Sequence, residues 1–209
     1  IDRYGRPAAA LLADAGAFVG RTVVAHGVWL DAEDRRILVE AGVAVAHCPL
    51  SNLKLGSGIA PVREMLAEGI VVGVATDGPA SNDSLDLWEE LKMAPLLARG
   101  RCLDPGAMTA ATALTLATSA SATAIGLSDV GRLTAGAHAD VIRIDLDQPA
   151  FEPGEDLLAH LVFAGSGRYV TDVWVAGERV VRAGRVQTVD RDQVLSEMAA
   201  RGRRLGTAR

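Results

Sequence analysis

Three polar residues, His26, His47 and Asp77, each follow a short apolar run of the sequence. Imidazole nitrogens and carboxylate oxygens are ligands for divalent metals, and both groups also transfer protons during hydrolysis. Taken singly, a histidine at a strand end is more often structural, and an aspartate before glycine more often belongs to a turn. Their repeated placement after apolar runs indicates a shared site.

The apolar runs at 22–25, 43–46 and 70–76 carry apolar residues on both faces, and helical patterns separate them. Such runs predict a parallel sheet that is covered on both sides. His26 and His47 are 21 residues apart, and His47 and Asp77 are 30 apart, which leaves room for a helical crossover each time. Functional side chains of parallel α/β folds collect where the strands end. A (β/α)8 barrel and a doubly wound sheet both fit this pattern.

Capping residues, glycines and prolines indicate where helices begin and end. Asp31 is a plausible N-cap, with Asp34 three residues later, and Gly42 ends that helix. Pro61 is expected to open a short helix, and Pro95 is expected to kink or interrupt a later one. The Ala/Thr-rich stretch that follows has enough apolar side chains for a packed helix.

The residue pattern changes near residue 129, where strand and turn patterns replace the alternating strands and helices. A hairpin is predicted with Ala176-Gly177 as its turn, and a helix that is basic at its end is predicted at the C-terminus. We therefore expect two domains, a half barrel at 1–128 and a β-rich lobe at 129–209. His138 and His160, in the second part, are expected to be surface or packing residues.

Composition excludes several classes of function. The chain has 209 residues, 49% of them hydrophobic, and a net charge of −5. This charge argues against a nucleic-acid partner, and no apolar run is long enough to cross a membrane. Cys48 and Cys102 form no disulfide or zinc pattern, which favours two thiols in the cytoplasm. The chain opens on Ile1 in what reads as the middle of a helix, so we expect it to be a piece of a longer protein.

Several motifs carry a resemblance to a known family. AHGVWLDAED, AHCPLSNLKLGSGIAPV and GVATDGPASNDSLDLWEELKMAPLLAR resemble, in order, the last strand-end motifs of the amidohydrolase superfamily. They look most like the branch of S-adenosylhomocysteine or methylthioadenosine deaminases and triazine hydrolases. GRLTAGAHADVIRIDL and VAGERVV resemble the closing β-sandwich strands of that branch.

The resemblance implies an α/β fold, namely the C-terminal part of a metal-dependent (β/α)8 barrel followed by part of a small β-sandwich lobe. It implies one divalent metal, zinc or iron, and hydrolysis of a C–N or related bond on a heterocycle, with an adenosine-type or S-adenosylhomocysteine-like deaminase favoured. It makes His26 the catalytic histidine of the sixth strand and Asp77 the metal ligand that also carries the proton. Ser81 corresponds to a substrate-binding serine, and His47 to a second-shell or structural residue.

The family's remaining metal ligands, a His-x-His pair and a later histidine, and a glutamate after them, are expected upstream of Ile1. The metal site in this chain would then be incomplete, and the isolated chain inactive until it meets the missing N-terminal half. The parent enzyme is expected to be a homo-oligomer. The alternative is a non-catalytic remnant or interaction module. A nucleotide-binding domain is disfavoured, because the glycines at 56–58 do not form a phosphate loop.

Overall fold

The structure is a computed structural model that describes residues 5–206. The described chain divides into two compact units. The first unit extends to Ala137 and also includes Asp147–Gly167, and the second comprises His138–Leu146 and the chain from Arg168 onward. These units differ in extent from the predicted domains 1–128 and 129–209. Within residues 5–206, no helix has the length and apolar character needed to span a bilayer.

The first unit contains a parallel sheet of three strands in the order β1-β2-β3. These are β1 (Val23–Ala25), β2 (Ala44–His47) and β3 (Val72–Val74). The parallel pairing predicted from the apolar runs is confirmed. Strands β2 and β3 are largely buried, as expected, but the first and last residues of β1 are exposed. The expectation of cover on both faces is wrong for β1, because Val24 packs against the core while Val23 and Ala25, on the opposite face, have little packed over them in the described chain.

Most helices of the first unit lie where the sequence predicts them. They are α1 (Ala8–Asp14), α2 (Ala32–Glu40), α3 (Pro49–Lys54), α4 (Val62–Ala67), α5 (Pro79–Asn82), α6 (Leu87–Cys102), α7 (Ala110–Thr115), a π-helical turn (Leu116–Ala120) and α8 (Ser121–Ile125). The predicted cap of α2 is a complete capping box, in which Asp31 accepts from the Asp34 amide at 2.8 Å. Helix α6 runs through Pro95 without interruption. Proline removes only one helical hydrogen bond, and packing of the buried side chains on either side of it can offset that loss.

The Ala/Thr-rich segment forms a packed helix, as predicted. Its residues Ala113, Leu116 and Ala122 are buried, and Ser121 Oγ accepts a hydrogen bond from Val74 N at 3.1 Å. A Cβ on Gly73 would lie 2.8 Å from Ser121 Cα, so only glycine allows the segment to approach β3 this closely.

The segment 147–167 is helical and belongs to the first unit. It contains a 3-10 turn (Pro149–Phe151) and α9 (Leu157–Ala159), which continues as a π-helical turn (His160–Ala164). Trp88 Nε1 donates to Leu161 O at 2.7 Å, which ties this segment to α6. The prediction that His160 lies in the β-rich part is therefore wrong. Its predicted packing role agrees with the 3.0 Å contact between its Nδ1 and Ala150 O.

The second unit is a four-stranded antiparallel sheet in the order β4-β5-β6-β7, followed by helix α10. The elements are β4 (Val141–Ile144), β5 (Val170–Val175), β6 (Glu178–Arg182), β7 (Arg185–Val186) and α10 (Arg191–Gly206). The predicted hairpin turn is confirmed, since Ala176 and Gly177 join β5 to β6 with positive φ. Burial alone would raise the pKa of Asp172, but hydrogen bonds from Arg179, Thr171 and Ala183 and the charge of Arg143 lower it to about 2.

Candidate active site

His26, His47 and Asp77 all lie at the C-terminal ends of the three parallel strands. His47 is the last residue of β2, His26 follows β1, and Asp77 follows β3. The His26 amide still donates to Ala46 O at 2.9 Å, so His26 stays beside β2. His26 and Asp77 have φ values of 68° and 62°, a region that costs non-glycine residues energy and is often found at functional sites. The sequence prediction that these residues share one edge of the sheet is confirmed.

Asp77 is a carboxylate held by three donors. Its Oδ2 accepts from Ser51 Oγ at 2.6 Å and from Ser81 Oγ at 2.7 Å, and its Oδ1 accepts from Gly78 N at 2.8 Å. The hydrogen bonds from Ser51, Ser81 and Gly78 lower the pKa of Asp77 to about 2. Asp77 is therefore ionised at neutral pH, which is the state needed for a metal ligand or a proton acceptor.

His26 lies between Asn52 and Asp77. Its Nδ1 is 2.8 Å from Asn52 Oδ1, and its Nε2 is 3.8 Å from Asp77 Oδ2. The His26 side chain is 40% exposed and that of Asp77 is 33% exposed, so both can be reached by a small molecule. An accessible imidazole beside an ionised carboxylate is an arrangement that can bind and move protons.

His47 lies behind this pair and is only 1% exposed. Burial, with a smaller contribution from the nearby His26, lowers the pKa of His47 to about 4. Among the described residues, its Nδ1 has no hydrogen-bond partner. The ring is neutral at physiological pH, and its burial next to the site is compatible with a structural or second-shell role. Its neighbour Cys48 is buried too, and burial raises the pKa of that thiol to about 11, so it stays protonated.

Helix α3 joins the strand ends to one another. Ser51 contacts Asp77, Asn52 contacts His26, and the Leu50 amide donates to Glu90 Oε2 at 3.0 Å. Glu90, fully buried, has its pKa raised by burial and also accepts from Asn82 Nδ2. One short helix therefore connects two of the strand ends and the start of α6.

Sequence reasoning missed Ser51, Asn52 and Glu90. A usable signal was present, because the dipeptide Ser-Asn occurs at 51–52 and again at 81–82, each time four or five residues after a candidate site residue. Both serines donate to the same oxygen of Asp77. A repeated Ser-Asn dipeptide shortly after two strand ends therefore indicates side chains that belong to the site.

The donors at this edge of the sheet suit a divalent metal only in part. Asp77 offers a carboxylate, and His26 an imidazole nitrogen 3.8 Å away. Within residues 5–206, no three His, Cys, Asp or Glu side chains are arranged to hold an ion. A zinc centre needs three or four protein ligands. The donor types thus fit such a metal, and the described part of the chain supplies only a fraction of its ligands.

Comparison with known proteins agrees with the geometry. The sequence pattern of the amidohydrolase family matches residues 9–180. The chain belongs to the amidohydrolase family. It is 46% identical over 196 residues to the 5-methylthioadenosine/S-adenosylhomocysteine deaminase of Bacillus thuringiensis (strain Al Hakam), covering 93% of this chain and 45% of that protein. The chain thus spans a little under half the length of this amidohydrolase relative.

Two solved amidohydrolase structures are also similar to the chain. An adenosine deaminase from Xanthomonas campestris with bound zinc has a TM-score of 0.94 at 32% identity, covering 99% of this chain and 47% of the other. Atrazine chlorohydrolase from Arthrobacter aurescens TC1, complexed with zinc, has a TM-score of 0.88 at 32% identity, covering 95% and 44%. The α/β fold of this chain therefore matches part of the amidohydrolase fold.

Proposed function

We propose that this chain is the C-terminal half of a zinc-dependent aminohydrolase that removes the amino group from an adenosine-type base. The observation that carries the proposal is the pairing of ionised Asp77 with His26 at neighbouring strand ends, 3.8 Å apart and open to a small molecule. Two of the three named relatives, a methylthioadenosine/S-adenosylhomocysteine deaminase at 46% identity and an adenosine deaminase with a TM-score of 0.94, favour this substrate class over a triazine, although the third is an atrazine chlorohydrolase.

The three parallel strands are proposed to be the last three of a (β/α)8 barrel, with the antiparallel sheet β4-β5-β6-β7 of the second unit contributing to a β-sandwich lobe. The exposed outer edge of β1 would then pair with the preceding barrel strand, in the N-terminal half. That half would bring the remaining metal ligands and much of the substrate pocket. A homo-oligomeric parent in the cytoplasm remains an expectation from the sequence.

Asp77 would be the one metal ligand that this chain provides. Zinc is proposed over iron because both solved relatives contain zinc. A bound ion of this kind acidifies a coordinated water, so that a nucleophile is available at neutral pH. Asp77, ionised and held by three donors, would accept the proton of the attacking water and pass it to the departing amino group.

His26 and Ser81 would act on either side of Asp77. His26 would orient the water and polarise the reacting centre through Nε2, the nitrogen that faces Asp77. Ser81 Oγ, which donates to Asp77 at 2.7 Å, keeps lone pairs that can accept a hydrogen bond from the heterocycle. His47, buried and neutral, would support His26 from behind.

The test joins this chain to the N-terminal remainder of the Bacillus thuringiensis relative; we call the product the reconstituted enzyme. Zinc is measured by elemental analysis, and ammonia release from adenosine, methylthioadenosine, S-adenosylhomocysteine and an aminotriazine is assayed. We expect one zinc per chain and turnover of at least one adenosine-type substrate. Zinc binding without ammonia release from any of the four would contradict the proposal and favour a non-catalytic role.

A further inference from the structure

Asn52 occupies a position that no reaction step described above requires. It lies on α3, is 2% exposed, and places its Oδ1 2.8 Å from Nδ1 of His26. An amide oxygen accepts hydrogen bonds and cannot donate them. The shared proton must therefore belong to Nδ1 of His26, which leaves a lone pair on Nε2 when the ring is neutral.

The tautomer of His26 decides whether Nε2 accepts or donates a hydrogen bond beside Asp77. Nε2 lies 3.8 Å from Asp77 Oδ2, which is too far for a direct hydrogen bond. Asp77 Oδ2 already accepts from two serine hydroxyls and needs no proton from His26. Nε2 and the carboxylate are thus two acceptors at a separation that one bridging donor, such as a water O–H, can span. With the opposite tautomer, Nε2 would be a donor and could not accept a hydrogen bond from that water.

The backbone of Asn52 is fixed by α3. Its backbone N–H donates to Cys48 O at 3.0 Å, and its backbone carbonyl accepts from Ser57 N at 2.8 Å. The preceding residue, Ser51, is bonded to Asp77, so a single turn of helix contacts both members of the pair. Outer-shell partners of this kind fix the tautomer and orientation of active-site histidines.

We propose that Asn52 is a positioning residue that holds His26 as the Nδ1–H tautomer and so keeps Nε2 as a hydrogen-bond acceptor for the attacking water. The role assigned to that water rests on the proposed function. The assignment of the proton to Nδ1 rests on one contact, the 2.8 Å approach of the side-chain oxygen of Asn52, whose Nδ2 has no partner among the described residues. Asn52 touches no reacting group and acts only through His26.

The first experiment measures the tautomer directly. The reconstituted enzyme is labelled with 15N-histidine, and the ring signals of His26 are assigned by their loss in His26→Gln. We expect a proton-bearing Nδ1 and a proton-free Nε2 at neutral pH. In Asn52→Leu, which keeps the side-chain bulk but has no acceptor, a large fraction of His26 should change to the other tautomer. Asn52→Asp, which retains an acceptor, should preserve the Nδ1–H form.

Asn82→Leu is the matched control, because Asn82 belongs to the second Ser-Asn pair and contacts Thr76 O and Glu90 instead of His26. It should leave the tautomer of His26 unchanged. A proton-free Nδ1 in the wild type would overturn the proposal, as would an unchanged tautomer in Asn52→Leu. If the leucine variant fails to fold, the wild-type measurement still tests the tautomer, and Asn52→Ala then tests the role of Asn52 in the same way.

The second experiment separates positioning from a purely structural role. In the reconstituted enzyme, Asn52→Leu should lower kcat by about 10- to 100-fold with KM changed less than about threefold, the range typical of outer-shell partners. Asn52→Asp should recover most of that loss. A loss in KM alone, or no recovery with aspartate, would contradict the positioning role. If no substrate is turned over but the 15N result holds, the proposed function fails while the tautomer assignment stands.

Discussion

Acid should destabilise this protein through His47, and the size of the effect follows from its burial. Burial lowers the pKa of His47 from 6.5 to about 4, so the folded state takes up a proton less readily than the unfolded state. The stability from this group is therefore fully present above about pH 6.5 and is lost as the pH falls toward 4. Each tenfold difference in proton affinity between the two states is worth about 1.4 kcal/mol, so the full loss is about 3 kcal/mol.

The assay is urea unfolding of the reconstituted enzyme at several pH values between 7 and 4.5, with a chelator present so that metal binding does not contribute. Asp77 and Asp172, whose pKa values are about 2, titrate mostly below this window. We expect the wild type to lose between about 2 and 3 kcal/mol more than His47→Leu over this range. His138→Leu is the control, because His138 is exposed, and it should follow the wild type. Equal slopes for wild type and His47→Leu would refute the assignment of a buried neutral ring.

Four further outcomes can be checked, three on variants and one on the chain alone. In the reconstituted enzyme, Asp77→Ala should reduce kcat/KM by several powers of ten because metal ligation and proton transfer are both lost, and activity within tenfold of wild type would refute that role. His26→Ala should lower turnover strongly and leave zinc bound, as measured by elemental analysis, so complete loss of zinc would show that His26 is a ligand. Asp31→Ala should reduce the unfolding free energy by about 1 kcal/mol, since it removes the cap of α2, whereas Glu33→Ala on the same exposed turn should cost clearly less. The 209-residue chain alone should bind no stoichiometric zinc and release no ammonia, and one equivalent of zinc with turnover would show that its ligands suffice.

The features that depend on neighbouring residues in the sequence were predicted correctly. The capping box of α2, the three apolar strands and the Ala176-Gly177 hairpin depend on residues close together in the chain, where spacing and residue type decide the local conformation. The uninterrupted helix at Pro95 and the exposed face of β1 were not predicted, because both depend on what packs against the element.

The sequence by itself determined that His26, His47 and Asp77 would collect at one edge of a sheet, because parallel strands of successive βα units end on the same side. It did not determine which of them face the open site and which is buried. Only the tertiary structure decided that His47 is covered and neutral while His26 and Asp77 stay accessible, since burial depends on the helices packed over the strand ends. The contact from Asn52 to His26 likewise joins residues 26 positions apart, and no local pattern specifies a hydrogen bond that forms only when α3 packs across the sheet edge.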